Sequence, residues 1–154
     1  MPVAIVDRQR GVRIGASALA GAARRALAAL GREGSDVDIA VVDDADIRRL
    51  NLAFRGIRRR TDVLAFPLDA PAAGSPLLGQ VVISADTALR HARRSKIPLA
   101  AELALLVTHG VLHLVGYDDR DPVEASLMHE REREILTSGR HAPPRRLWAG
   151  LLHA

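Results

Sequence analysis

The residues best suited to chemistry stand in one short run, His109-Gly110-Val111-Leu112-His113-Leu114-Val115-Gly116-Tyr117-Asp118-Asp119. On a helix, positions i and i+4 differ by only about 40° around the axis, so His109 and His113 present their imidazoles to the same side. Two ring nitrogens at that spacing can share one metal ion. A straight helix offers no third donor in tetrahedral position, so the chain must turn back. Gly116 permits the turn, and a carboxylate just beyond it, Asp118 or Asp119, can complete the set. Two histidines and one carboxylate leave a position open to water, the arrangement of a catalytic zinc. Imidazole donors favour zinc or another transition ion over magnesium. The plainer alternative is two core histidines hydrogen-bonded to neighbours. That would bury two polar rings on an apolar helix with no shared purpose and incur the desolvation cost twice.

The same spacing occurs in metzincin proteases, which need a glutamate directly after the first histidine as general base. Here that place is Gly110, so a peptidase built on this segment would lack its base. Phosphate chemistry is the better match to the arginines. Arg55 falls at the end of a predicted helix, where it could hold a phosphate or simply satisfy the helix dipole. Arg58, Arg59 and Arg60 follow it as a run that could contact phosphate or form a solvated loop. Arg90, Arg93, Arg94 and Lys96 read as a solvated helix face. His91, His129, His141 and His153 have no partner at ligand spacing and are expected at the surface. Asp62 is expected to make structural hydrogen bonds at a strand start.

These residues need elements to position them. Val3 to Arg8 alternates as a strand, and Ile14 to Leu30 has helical apolar spacing with Gly31 as its stop. Val37 to Val42 reads as a strand; Asp43 or Asp44 then caps a helix reaching Phe54, closed by Gly56. Val63 to Phe66 and Leu77 to Ile83 read as a hairpin around a Pro-, Ala- and Gly-rich loop, 69–76. Ser84 or Asp86 caps a polar helix ending near Lys96. Pro98 opens a helix that is apolar nearly all round to Val115, and so should be buried. A last amphipathic helix begins at Pro122 or Val123, with Leu127, Ile135 and Leu136 expected on its inner side. The expectation is an α/β fold with a small mixed sheet of about four strands, about five helices, and the histidine helix at its centre.

Composition sets the outer limits. A chain of 154 residues, 48% apolar, can bury a real core. It has no cysteine, which excludes disulfide partners and thiolate metal sites. No apolar run is long enough for a membrane span, and the first residues lack the apolar stretch of a signal peptide, so a cytoplasmic location is expected. The formal charge is +4, and Lys96 is the only lysine among 22 basic residues. Aromatics at 3% leave little room for base stacking.

The histidine run resembles the signature of the YbeY endoribonucleases, H-G-x-L-H-L-x-G-Y-D-H, and ten of its eleven places are filled compatibly. Leu50-Asn51-x-x-Phe54-Arg55-Gly56, followed by Thr61-Asp62-Val63-Leu64-x-Phe66-Pro67, is similar to a second motif of that family. Leu78-Gly79 before an apolar strand resembles a third. The resemblance spans roughly residues 37 to 138. It implies one metal-dependent hydrolase domain, 1–138, with a tail, 139–154, docked or disordered. It implies a single-strand-specific endoribonuclease acting in 16S ribosomal RNA maturation and ribosome quality control, with one zinc ion and the small ribosomal subunit as partner. On this resemblance Asp119 takes the place of the third metal ligand beside His109 and His113; Asp118 is then read as anchoring the turn or orienting a ligand from behind. Arg55 becomes the catalytic phosphate-holding residue, and Arg55, Arg58, Arg59 and Arg60 the RNA contacts. Two departures stand out: the family's third histidine is Asp119 here, and its aspartate after Leu-Gly is Gln80. A non-catalytic assembly factor with a structural metal is the alternative reading.

Overall fold

The computed structural model describes residues 3–58, 61–68 and 77–137. Arg59 and Arg60, the loop 69–76 and the tail 139–154 lie outside the described residues. The elements run β1 (Val3–Asp7), α1 (Ala16–Ala29), β2 (Asp36–Val42), α2 (Asp44–Arg55), β3 (Val63–Pro67), β4 (Leu77–Ser84), α3 (Ala85–Ser95), α4 (Leu99–Leu114) and α5 (Pro122–Thr137). The four strands form one mixed sheet in the order β1-β2-β4-β3. β2 pairs parallel with β1 and β4, while β3 pairs antiparallel with β4 as the expected hairpin.

Alternation along the strands assigns the two faces of the sheet. Val37, Ile39 and Val41 of β2, with Val81 and Ile83 of β4, join the large core formed with α1, α4 and α5. Ala40, Val42, Leu64 and Val82 face the other way and bury Ile47 of α2. The predicted caps are present: the Asp43 side chain accepts from Asp46 N–H, and Ser84 accepts from Thr87 N–H. α2 ends on left-handed Gly56, which places Arg55 at the helix terminus.

α4 carries the two histidines and packs against β3, β4, α1, α3 and α5. Its approach to β4 is close. A Cβ on Gly110 would lie 2.6 Å from Val81 Cγ1, well inside van der Waals contact. The residue that argues against a peptidase is therefore also the one that lets this helix lie on the sheet.

One face assignment was off by a residue. The inner stripe of α5 is Met128, Glu132, Ile135 and Leu136, and Leu127 is 56% exposed. Those four positions follow i, i+4, i+7 and i+8, the regular spacing of a buried helix face, with a glutamate in its middle.

Candidate metal centre

The C-terminal half of α4 faces a cleft of about 530 Å³. Its walls include Arg55 from the end of α2, Thr61 and Asp62 before β3, and the turn from Gly116 to Arg120. Within it, ligand atoms of His109, His113 and Asp119 all lie within 4.8 Å of one another. The two Nε2 atoms are 3.0 Å apart, with the rings edge to face. Gly116, at φ +107, takes a backbone conformation that side chains disfavour, and the turn it makes returns Asp119 to the histidines.

Burial and charge separate the two imidazoles. His109 Nδ1–H donates to Oε1 of Glu132, whose side chain is wholly buried in α5. Burial alone would lower the pKa of His109; the hydrogen bond and charge of Glu132, helped by Asp62 and Asp119, outweigh it and raise the pKa. For His113, burial and the neighbouring His109 both lower the pKa, against partial opposition from Asp119 and Asp118. With Nδ1 of His109 committed to Glu132, its Nε2 carries the lone pair when the ring is neutral, and that atom faces His113. Two facing nitrogens and a nearby carboxylate fit a shared divalent cation.

Asp118 does something different from Asp119. It folds back on its own turn, accepting from Asp119 N–H at 2.7 Å and pairing with Arg120 at 2.5 Å. Solvent loss would raise its pKa, but the Asp119 amide and Arg120 bring it below the usual carboxylate value. Arg55 and Arg58 are both exposed, and Arg55 lines the cleft. Gln80 is exposed and is not among the residues lining the cleft, so that departure from the family pattern lies away from the histidines.

Two expectations about single residues need correction. His91 is not a free surface side chain. It is half-buried on α3, with Nδ1 3.5 Å from Glu102 and 3.8 Å from Asp62. His129 is half-buried as well. Asp62 is largely withdrawn from solvent, which raises its pKa despite the opposing influence of His91 and His109. Glu102 is pushed up to about 7 by burial and then by the charge of Asp62.

Glu132 and Glu102 were missed in the sequence, although each left a signal. Glu102 stands in the first turn of an otherwise apolar helix, seven residues before His109, and thus on nearly the same face. Glu132 interrupts the apolar stripe of α5. A lone carboxylate on a buried stripe requires a partner.

Comparison with known proteins agrees with this architecture. The solution structure of the Thermotoga maritima protein TM1509 superposes with a TM-score of 0.60 at 27% identity, covering 86% of this chain and 85% of that one. Proteins named Endoribonuclease YbeY are similar in sequence. That of Geobacter metallireducens is 39% identical over 141 residues, which cover 88% of this chain and 94% of the relative. That of Anaeromyxobacter sp. strain Fw109-5 is 49% identical over 109 residues, covering 71% of this chain but only 57% of the relative. The family profile described as Endoribonuclease YbeY matches residues 5–140. With the profile spanning nearly the whole chain and the fold and histidine cleft in place, this chain belongs to the YbeY family.

Proposed function

We propose that the chain is a metal-dependent endoribonuclease that cleaves single-stranded RNA, acts in the cytoplasm on 16S ribosomal RNA at the small ribosomal subunit, and serves ribosome maturation and quality control. The observation that carries this reading is one cleft lined by His109, His113 and Asp119, whose donor atoms lie together, and by Arg55. His109, His113 and Asp119 would hold the ion, with zinc favoured by the two imidazoles. When bound, the ion supplies positive charge for a phosphoryl oxygen and lowers the pKa of water.

The remaining work falls to the chain itself. Glu132 fixes the orientation and tautomer of His109 from the buried side. Asp118 holds the turn that presents Asp119. Arg55 faces the cleft from another element and can pair with non-bridging phosphate oxygens as charge builds on them. Arg58, three residues on and exposed, would add to that positive charge, and the run continues in sequence through Arg59 and Arg60. The scarcity of aromatic side chains fits a site that grips backbone rather than reading bases, so sequence preference would come from the ribosomal context.

The test is metal content of the purified protein together with cleavage of a single-stranded RNA, with and without chelator. Cleavage that disappears with chelator, returns with zinc, and is absent in a folded His109→Ala variant supports the reading. Undiminished ribosome-subunit binding by a protein that never cleaves RNA would instead favour an assembly factor with a structural metal. The replacement of the family's third histidine by an exposed aspartate is the observation that keeps that second reading in view.

A further inference from the structure

Three elements converge on a second group of donors that the cleft chemistry does not use. Asp62 precedes β3, His91 lies two turns into α3, and Glu102 lies in the first turn of α4. The backbone fixes their approach. Ser84, the residue that caps α3, donates its N–H to the Asp62 carbonyl at 2.9 Å, so the start of α3 and the Asp62 segment are tied together. One ligand atom from each of the three side chains lies within 4.8 Å of the others.

The distances are informative. His91 Nδ1 stands 3.5 Å from Glu102 Oε1 and 3.8 Å from Asp62 Oδ2. Both exceed the roughly 2.7–3.2 Å of a good N–H···O hydrogen bond. They are close to the edge of about 3.4 Å expected between two donors that each lie about 2.1 Å from a shared tetrahedral ion. Glu102 adds an independent observation. Its residue is 1% exposed, and its second oxygen, Oε2, is buried with no hydrogen-bond partner. A buried carboxylate oxygen left in that state calls for a counter-charge. The Asp62 and His91 side chains are 19% and 21% exposed, which gives an ion a way in.

We propose that Asp62, His91 and Glu102 form a second cation site, binding a first-row divalent ion such as Zn²⁺ or Mn²⁺. One imidazole and two carboxylates form a harder donor set than that of the first site, so manganese is better tolerated here than at His109 and His113. Asp62 also lines the cleft, so the second ion sits on the wall of the same cavity as the first. The site stands independently of the RNA-cleavage reading, because neither its geometry nor its charge invokes a substrate.

Metal stoichiometry tests it. The full-length protein is stripped with chelator, reloaded separately with Zn²⁺ and with Mn²⁺, dialysed, and analysed by plasma mass spectrometry. Wild type should retain about two equivalents of zinc, His91→Gln one, His113→Ala one, and the double variant none. With manganese, His91→Gln should lose the larger share of the bound ion. Glu102→Gln, which keeps the side-chain shape, should repeat the His91→Gln result and serves if the histidine variant folds poorly. A wild type that retains no more metal than His91→Gln and Glu102→Gln overturns the second site. If His113→Ala retains as much as wild type while His91→Gln loses one equivalent, the first site fails and the second stands.

Discussion

Asp119 is where this chain leaves its family's histidine pattern, and its role can be separated from that of its neighbour. Removing it leaves two imidazoles, too few to hold zinc well, so Asp119→Ala should lose most of the ion at the His109 and His113 site. Asp119→His should retain it, and the added positive charge should move the basic-side rise of the pH–rate profile downward. Asp118 accepts from the Asp119 amide and is not among the grouped donor atoms of His109, His113 and Asp119, so Asp118→Ala should weaken metal binding only about 10- to 100-fold. Competition against a chromophoric chelator measures all three; full occupancy in Asp119→Ala would move the third ligand elsewhere. Glu132→Gln keeps an acceptor but loses the charge against His109, and should cost a similar 10- to 100-fold in zinc affinity. Arg55→Ala should leave metal content unchanged and lower cleavage by about 10²-fold. It should also make RNA binding less salt-sensitive, reducing the slope of log K against log salt by about 0.7. Wild-type cleavage in Arg55→Ala would reassign the residue to its helix terminus.

At the scale of elements, two contacts decide how the helices meet the sheet. Gly110 lets α4 lie against Val81 of β4. Gly110→Ala should therefore destabilise the fold by about 1–3 kcal/mol, the usual range for overpacking. Adding Val81→Ala opens space at that contact, and denaturant unfolding of the double variant should show the resulting coupling. Asp44 joins α2 to α3: its carboxylate accepts from Ser84 and Thr87, each at 2.7 Å, and from Arg90 at 2.8 Å. Burial works against ionisation there, but the Arg90, Thr87 and Ser84 hydrogen bonds and the Arg90 charge prevail and bring the pKa from 3.8 to about 2. A carboxylate depressed in the folded state contributes stability that is fully present above its unfolded pKa. It is lost as pH falls through the folded value. Between about pH 4 and pH 2 the wild type should lose roughly 1–2 kcal/mol from this group, allowing for solvent screening. Asp44→Asn should be less stable than wild type at pH 6, with the gap narrowing toward pH 2. A gap that stays constant across that range would assign the contribution to packing rather than charge.

For the molecule as a whole, the proposed ion would link metal binding to the fold. The proposed ligands come from α4 and the turn beyond it, and the group behind His109 comes from α5, so a bound ion would tie three successive parts of the chain together. An ion at 100 times its Kd adds about 2.7 kcal/mol to the folded state. In a chain of this size each kcal/mol moves Tm by about 2–4 °C, so chelation should lower it by about 5–10 °C. Thermal unfolding followed by circular dichroism, with chelator and then with zinc restored, measures this. A transition that does not move would disconnect the cleft from metal binding at the concentrations used. The described residues contain no helix long and apolar enough to cross a membrane.

What could be read in the sequence was local and periodic. The i,i+4 histidines, the Asp43 and Ser84 caps, the left-handed Gly56 and the apolar α4 all follow from spacing and residue type within a few turns of chain, and each stands where expected. The order of the sheet and the partners of its buried charges depend on residues far apart. His91 looked isolated because Asp62 is 29 positions away, just before β3, and Glu102 is on the next helix. Glu132 drew no attention in the sequence because its acceptor role depends on α5 crossing α4 at His109, 23 residues earlier. Hydrophobic period marks which face of a helix is buried, but not which polar group waits on the neighbouring element. Only packing brings a carboxylate from one helix to an imidazole on another, and here it decided both the support behind the histidines and the second cluster beside them.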